Sequence, residues 1–256
     1  MTEKFVALFD LHWGFERRGG HLVPVHDPKA LSVAMQFIED FEPDHVVLGG
    51  DMLDCRMISH HIKGNPGQVE GLRLLSDAKG LIEEVITPLE EQVEGRLIYH
   101  TGNHEDWLNQ LADEIPGLEG LLSIENVLDL SDQWEVIPQG GASKLGKLTF
   151  IHGDQISSGE HAAKAAVTAY ERNVRFGHIH TFQTFTKTSA VDANGHTAIA
   201  VPCLCKKDPP YGKARPNRWM QGFLWGYVGG PGGTFNDYVT VIVNGIAHIN
   251  GVTYKG

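Results

Sequence analysis

The chain has 256 residues, 41% of them hydrophobic and 21% charged, which is typical of a globular protein that buries a substantial core. No apolar run approaches the roughly 20 residues that a membrane-spanning helix needs. Asp10 interrupts the N-terminal apolar stretch early, so we expect this segment to be a core strand rather than a signal peptide. The formal net charge of −11 argues against non-specific binding to long nucleic acid, because an acidic surface repels the phosphate backbone.

The three cysteines do not indicate disulfides. Cys203 and Cys205 lie two positions apart, so on one strand they would face the same way and be poorly placed to bridge each other. No further cysteine pair is present in the sequence to complete a structural zinc site. We therefore expect reduced thiols and a cytoplasmic location.

Predicted strands and helices alternate along the first part of the chain. Residues 5–9 and 46–48 are short apolar runs that predict buried strands. Asp27 and Pro28 predict the start of a helix, with the aspartate as N-cap and the proline in the first turn. A second helix is predicted over residues 69–84, and we expect Pro88 to end or kink the segment after it.

The rest of the chain changes from alternation to strands. Three more buried strands are predicted at 97–99, 148–151 and 174–176, and a helix is predicted at 159–172. Beyond Thr181, strands are predicted at 197–201, 223–228 and 238–243, and glycine, proline and asparagine residues lie between them. We expect an α/β fold that forms a single domain over residues 1–256, with signature blocks at 10–180 and a β-rich portion at 181–256.

Five polar signatures each directly follow a predicted strand. Their Asp, His and Asn side chains offer oxygen and imidazole ligands that suit Mn, Fe, Zn, Co or Ni. Two such cations roughly 3.5–4 Å apart, bridged by a carboxylate, polarise a phosphoryl group and acidify a shared water. One signature alone is weak evidence, since Asp-x-His often occurs by chance and Gly-Asn commonly forms a turn. The occurrence of all five in this order, each after an apolar strand, predicts a metal site. The five are Asp10-Leu-His12, Gly50-Asp51-Met-Leu-Asp54, Gly102-Asn103-His104-Glu105, His152-Gly153 and Gly177-His178-Ile-His180.

This set resembles the calcineurin-like metallophosphoesterase superfamily, whose pattern is D-x-H, G-D-x-x-D, G-N-H-[ED], H and G-H-x-H. The resemblance extends from Asp10 to His180, about two thirds of the chain. It implies a four-layer α/β sandwich in which helices flank two central mixed β-sheets.

The resemblance also implies two divalent metal ions, of which manganese is the one we favour, and a role for each signature residue. Asp51 would bridge the two metals, and a hydroxide bridging them would attack phosphorus in line. His104 would contact the phosphate and protonate the leaving oxygen. The further ligands implied are Asp10, His12 and His180 for the first metal, and Asn103, His152 and His178 for the second.

Three acidic residues near these ligands are expected to act beside the metals rather than on them. Asp54 is expected to be a partner of the ligands. Glu105 or Asp106 would orient His104, or else cap the helix that begins there.

Two blocks depart from the serine/threonine protein phosphatase branch, in which arginines that grip the phosphate follow the second and third blocks. Here the second block continues Asp54-Cys55-Arg56, which displaces the arginine by one position, and the third continues Glu105-Asp106-Trp107, with no arginine. The chain is more similar to the phosphodiesterase and repair-exonuclease branch, which includes nuclease-like enzymes, and to small phosphoesterases of phages.

Residues 203–219, CLCKKDPPYGKARPNRW, carry five positive charges and one negative in a chain of net charge −11. One interpretation is a substrate-binding loop in which basic side chains attract phosphate and an aromatic ring stacks on a base. The other is a solvated loop that balances acidic neighbours. The candidate substrate contacts are Lys206, Lys207, Tyr211, Arg215 and Arg218, together with His60 and His61, which follow the second block.

The sequence thus predicts a metal-dependent hydrolase of phosphodiesters. We expect its substrate to be a nucleotide or a nucleic-acid end, and we expect neither a membrane nor an obligate protein partner. The alternatives are a phosphomonoesterase acting on small molecules or phosphoproteins, and a non-catalytic scaffold that keeps the fold for partner binding.

Overall fold

A computed structural model describes residues 2–62, 65–118, 120–157, 159–191, 195–208 and 217–256. Its strands, in chain order, are β1 (Thr2–Leu8), β2 (Phe15–Arg18), β3 (His21–Pro24), β4 (His45–Leu48), β5 (Leu97–His100), β6 (Trp134–Ile137), β7 (Ser143–Leu145), β8 (Leu148–Ile151), β9 (Asn173–Phe176), β10 (Gln183–Lys187), β11 (His196–Ala200), β12 (Gln221–Gly229), β13 (Thr234–Ile242), β14 (Ile246–Ile249) and β15 (Val252–Lys255). Its α-helices are α1 (Pro28–Phe41), α2 (Leu74–Leu81), α3 (Thr87–Gln92), α4 (Asn103–Glu114), α5 (Ile124–Val127) and α6 (Ala162–Tyr170).

The strands form two central mixed sheets. The first has the order β13-β12-β1-β4-β5-β6, and the second has the order β10-β11-β9-β8-β7. Strands β1, β4, β5 and β6 run parallel in the first sheet, as β8, β9 and β11 do in the second. Because parallel strands end at the same edge of a sheet, the segments that leave β1, β4 and β5 emerge side by side.

The side chains of β1 show how the layers are held together. Phe5 and Ala7 pack between the two sheets, where the Phe5 ring meets Phe150 of the second sheet edge-on with centroids 5.9 Å apart. Val6 and Leu8 face the other way, into the core formed with α1. This alternation follows from the two-residue period of a strand.

Helix α6 packs on the second sheet through its own apolar cluster, so helices cover both outer faces. The predicted four-layer α/β sandwich with two central mixed sheets is confirmed. Strand β12 pairs with β1, so the two ends of the chain share one sheet. Among the described residues, no helix is both long and apolar enough to cross a membrane.

The helix boundaries differ from prediction in two regions. Helix α6 spans Ala162–Tyr170 rather than 159–172, and the larger difference follows α1. Helix α1 begins as predicted, because the Asp27 side chain accepts hydrogen bonds from the amides of Lys29 and Ala30. The second helix begins at Leu74 rather than at residue 69, and it continues past Pro88 to Gln92 through a π-helical segment at Ile82–Ile86. The wider π-helical turn accommodates the proline, which has no backbone N–H to donate.

Candidate active site

Five strand ends deliver the signature residues to one edge of the sandwich. In the first sheet, Asp10 and His12 follow β1, Asp51 follows β4, and Asn103 begins α4 after β5. The second sheet supplies the remaining ligand-type side chains from the segments after β8 and β9, namely His152, His178 and His180. The side chains meet there as two groups that share Asp51.

The first group consists of Asp10, His12 and His180, which are all buried. Nε2 of His180 lies 3.3 Å from Oδ1 of Asp10 and 3.2 Å from Nε2 of His12. The Asp10 carboxylate also accepts hydrogen bonds of 3.0 and 2.8 Å from the backbone N–H of His178, which ties the two sheets together at the site.

The second group is built around His152. Its Nε2 lies 3.4 Å from Oδ2 of Asp51 and 3.2 Å from Oδ1 of Asn103, and ligand atoms of Asp51, His152 and His178 all lie within 4.8 Å of one another. Oδ2 of Asp51 also lies 3.8 Å from Nε2 of His12. Asp51 therefore lies between the two groups, as a bridging carboxylate would.

The donor set suits cations. Buried carboxylates and imidazoles converge here, and buried charges in proteins are paired or coordinate metals. Burial alone would lower the pKa of His152, but the charges of Asp51 and Asp10 raise that pKa to about 10. Nδ1 of His152 donates to the carbonyl of Gly49 at 3.0 Å, so in the neutral ring the lone pair on Nε2 faces the site.

His104 lies beside both groups, and other residues fix its orientation. Its Nδ1 donates to the carbonyl oxygen of Asp54 at 2.7 Å, its backbone N–H donates to Asp51 Oδ1 at 2.9 Å, and Trp107 packs against its ring with centroids 4.2 Å apart. Burial would lower the pKa of His104, but the negative charges of Asp51 and Asp54 raise that pKa to about 9. The ring is thus anchored at Nδ1, which leaves Nε2 for a ligand.

Glu105 holds the loop that carries Asp51 rather than contacting His104. Its carboxylate accepts hydrogen bonds from the backbone N–H groups of Asp51 (3.0 Å), Met52 (2.6 Å) and Leu53 (3.0 Å). It also accepts from the Gly102 amide at 2.9 Å, which caps α4, and from the Tyr99 hydroxyl at 3.0 Å. The sequence suggested that Glu105 either orients His104 or caps the helix that begins there, and the hydrogen bond from Gly102 shows that it caps α4.

The other candidate, Asp106, contacts residues of its own helix. Its carboxylate accepts hydrogen bonds of 3.0 Å from the side chains of Asn109 and Gln110 on α4. The acidic residue next to His104 is Asp54, whose Oδ1 lies 3.5 Å from His104 Nδ1 and 3.3 Å from His12 Nδ1. Asp54 therefore contacts a proposed ligand and a proposed catalytic residue at once.

A network of charged side chains lies behind Asp54. Arg56 contacts the Asp54 carboxylate through Nε and Nη2, and its Nη1 lies 3.2 Å from Oε2 of Glu16. Asp77, on α2, is 4% exposed, and its Oδ2 has no hydrogen-bond partner among the described residues. Burial and the negative charge of Asp54 raise the pKa of Asp77 to about 7.

Several of the signature residues have a left-handed backbone conformation, which residues other than glycine rarely adopt. Such a conformation costs roughly 1 kcal/mol per residue, and short polar side chains tolerate it best. It turns the chain sharply after each strand and so directs the side chains into the site. The φ angles are 52° at Asp10, 50° at His12, 53° at Asp51, 64° at His178 and 56° at His180.

The candidate substrate contacts are spread over the surface around the site. His60 and His61 are exposed, and their ring centroids lie 6.4 and 6.0 Å from that of Trp107. Arg218 is paired with Glu160 at 2.7 Å. Lys206 is half-buried and Lys207 is exposed. The remaining two, Tyr211 and Arg215, lie outside the described residues.

Sequence reasoning assigned no role to two residues that touch the site. Trp107 is three positions after His104 on α4, and the spacing i, i+3 on a helix would have indicated the contact. Cys205 Sγ lies 3.8 Å from Nδ1 of His180, and no local sequence signal predicts that contact because 25 positions separate the two residues.

No family model matches the chain. It is 28% identical over 160 residues to the gene 54 protein of Mycobacterium phage L5, a match that covers 60% of this chain and 62% of that protein. It is 26% identical over 220 residues to the gene 54 protein of Mycobacterium phage D29, covering 78% of this chain and 83% of that protein.

Among solved structures, the chain is similar to Vps29 of Chaetomium thermophilum, with a TM-score of 0.45, 11% identity and coverage of 99% of this chain and 98% of that one. It is also similar to Yfce, a phosphoesterase from E. coli, with a TM-score of 0.44, 14% identity and coverage of 94% and 92%. A dimetal phosphatase from Danio rerio has a TM-score of 0.43 and 12% identity, with coverage of 93% and 98%.

The fold is the four-layer α/β sandwich that the resemblance of the five sequence blocks implied. All five blocks lie at strand ends, and their polar side chains meet at one edge of the sandwich.

Proposed function

We propose that this protein is a two-metal phosphoesterase that hydrolyses phosphodiester bonds, with a nucleotide or a nucleic-acid end as substrate. The observation that carries the proposal is the meeting of seven ligand-type side chains from five strand ends, with Asp51 between the two groups. A purely structural cluster would not need so many buried ionisable groups, because burying each of them has a cost that a metal offsets.

The residues present fit two divalent cations. Asp51 would contact both, and manganese is the ion we favour from the nitrogen and oxygen donor set. When bound, such a pair polarises the phosphoryl group and acidifies a water molecule. The first cation would be held by Asp10, His12 and His180, and the second by Asn103, His152 and His178.

His104 is the residue we assign to the leaving group. Because Nδ1 donates to the Asp54 carbonyl, Nε2 is the ring nitrogen from which a proton reaches the leaving oxygen. Trp107 packs against the ring and Asp54 contacts its Nδ1, and together they hold His104 in position, which limits the reorganisation needed during the reaction.

The charges around the site favour a diester over a monoester. A monoester carries up to two negative charges at its phosphate, whereas a diester carries one and needs fewer positive side chains. Arg56, the displaced arginine of the second block, is engaged with Asp54 and Glu16, and Arg218 is engaged with Glu160. The phosphomonoesterase and the non-catalytic scaffold remain the rival functions.

The three cysteines of the chain are unpaired and buried, which supports the reducing cytoplasm as the compartment in which the protein works.

A steady-state assay of the metal-stripped and Mn²⁺-reloaded protein tests the proposal. We expect bis(p-nitrophenyl) phosphate to be hydrolysed with a higher kcat/KM than p-nitrophenyl phosphate. Preference for the monoester would favour the phosphatase rival. Absence of turnover with every divalent metal tried would favour the scaffold.

Two variants test the assigned roles. Asp51→Asn should lose metal occupancy and turnover together, because this carboxylate lies between both groups. His104→Ala should retain two metals per chain while turnover falls by a factor of roughly 10² to 10⁴, the usual contribution of a general acid. The matched control is His248→Ala, an exposed histidine on β14, which should behave like the wild type. Full activity of His104→Ala toward a diester with a poor leaving group would contradict the role.

A further inference from the structure

A cavity of about 530 Å³ opens beside the ligands of the second group. We propose that it binds a nucleobase of the substrate, attached through its sugar to the phosphate at the metals. This inference rests on the proposed phosphoesterase function and adds to it the recognition of an uncharged, planar group. The volume lies in the range of about 300–1,000 Å³ that small-molecule sites occupy. The lining residues on which the argument depends are Gly159, Glu160, His178, Thr181, Arg218 and Trp219.

The cavity borders the metal site. His178 lines the cavity and belongs to the second ligand group. Trp219 lines it as well, and its ring packs edge-to-face against His180 of the first group, with centroids 4.1 Å apart and an interplanar angle of 70°. A ligand whose phosphate lies at the metals therefore has an aromatic wall within reach of the group attached to that phosphate.

The segment that carries Trp219 is held in place by hydrogen bonds. The backbone N–H of Trp219 donates to Oδ1 of Asn217 at 3.1 Å, and the next amide, of Met220, donates to the carbonyl of His180 at 2.8 Å. These bonds anchor the backbone at Trp219, and the contact with His180 positions the ring, so a stacking platform is offered to the ligand.

Gln183 also lines the cavity, and its side chain holds neighbouring parts of the lining in place. Its side-chain NH2 donates to the carbonyl of Gly159 at 2.6 Å and to the Thr181 hydroxyl at 3.2 Å, and its Oε1 accepts from the Ala163 amide at 3.3 Å. Because the Thr181 oxygen is the acceptor in this contact, its hydrogen can be donated to a ring nitrogen or carbonyl of the ligand.

The charges of the cavity favour a neutral ring over a second phosphate group. Nη2 of Arg218 lies 2.7 Å from Oε1 of Glu160, so the guanidinium charge is balanced by a carboxylate on the same wall. Both side chains are about two-thirds exposed, at 67% and 65%, and such a surface pair is weak. A further phosphate here would face the Glu160 carboxylate, whereas a base meets no net charge.

The test is equilibrium binding to the Mn²⁺-loaded full-length protein by isothermal titration calorimetry. The ligands are adenosine 5′-monophosphate and ribose 5-phosphate, which differ only in the base. We expect the wild type to bind the nucleotide at least tenfold more tightly, as loss of one base–aromatic stack typically costs roughly five-fold or more. Trp219→Leu should lower this advantage to about threefold or less, and Trp219→Phe should keep most of it.

Two further variants make the result specific. Thr181→Val should lower the advantage roughly threefold without removing an aromatic ring. Tyr238→Leu, which removes a half-exposed aromatic residue from β13, should keep the wild-type advantage. Equal affinity of the wild type for the two ligands, or an undiminished advantage in Trp219→Leu, would overturn the inference. Because this readout is binding, it is separate from a failure of turnover, which would instead refute the proposed function.

Discussion

Asp77 makes the stability of this protein depend on pH. Its carboxyl is buried on α2, and burial together with the charge of Asp54 raises its pKa from the ordinary value of 3.8 to about 7. A carboxyl whose pKa is higher in the folded state than in the unfolded state binds its proton more tightly when folded. Its contribution to stability is fully present below pH 3.8 and is lost as pH rises through about 7.

The magnitude follows from the two pKa values. One pKa unit corresponds to roughly 1.4 kcal/mol, so between pH 5 and pH 8 this carboxyl should lower the free energy of unfolding by about 3 kcal/mol. Asp77→Asn removes the titrating group. Its amide oxygen can still accept the hydrogen bond from the Phe15 backbone N–H, a bond that lowers the pKa of Asp77 in the wild type. The variant should therefore be more stable than the wild type at pH 8, and the difference should shrink toward pH 5.

Urea unfolding of wild type and Asp77→Asn at pH 5, 6, 7 and 8 measures this difference, with the same metal content in all samples. Asp113→Asn, an exposed aspartate on α4, is the matched control and should leave the pH dependence unchanged. If the difference between wild type and Asp77→Asn were constant from pH 5 to pH 8, or became more favourable to wild type at high pH, the assigned pKa direction would be wrong.

Two further substitutions test how the Asp51 loop is held. Glu105→Gln should lower the free energy of unfolding by about 3 kcal/mol, because it places an NH2 group among backbone N–H donors. Urea unfolding measures this loss, with exposed Glu91→Gln as the control, and a loss below about 1 kcal/mol would contradict the role. Gly102→Ala should lower Mn²⁺ occupancy, because a methyl group there would overlap the Asp51 carboxylate and backbone nitrogen. The control Gly117→Ala, which has open space around it, should bind metal normally in the same titration, and normal occupancy in Gly102→Ala would refute the steric argument.

The meeting of the signature residues could be predicted from the sequence because it depends on strand ends. Polar residues that directly follow apolar strands are brought to one edge when those strands are parallel, as β1, β4 and β5 are. The buried strands could be predicted because they are short and mostly apolar, as in Leu148–Ile151, where Thr149 is the one polar residue and all four residues are buried.

The support of His104 could not be predicted in the same way. The sequence places Glu105 and Asp106 directly after it, yet helical geometry directs neighbouring residues to different faces of α4, and Asp54 contacts the ring from 50 positions away. The hairpin β2–β3 was also not predicted, although Gly19 and Gly20 at its turn are a known hairpin signal. Three of the four residues of β2 are charged, so it does not resemble a core strand.

The left-handed conformations at the strand ends have a consequence for how this protein evolves or is engineered. Glycine adopts these φ angles without penalty, so replacing His178 by glycine relieves conformational cost in the metal-free chain while it deletes a proposed ligand. Selection for thermal stability alone, in a metal-poor medium, would therefore enrich substitutions at the very positions that chemistry requires. A laboratory evolution experiment on this scaffold should for that reason screen for bound manganese as well as for melting temperature.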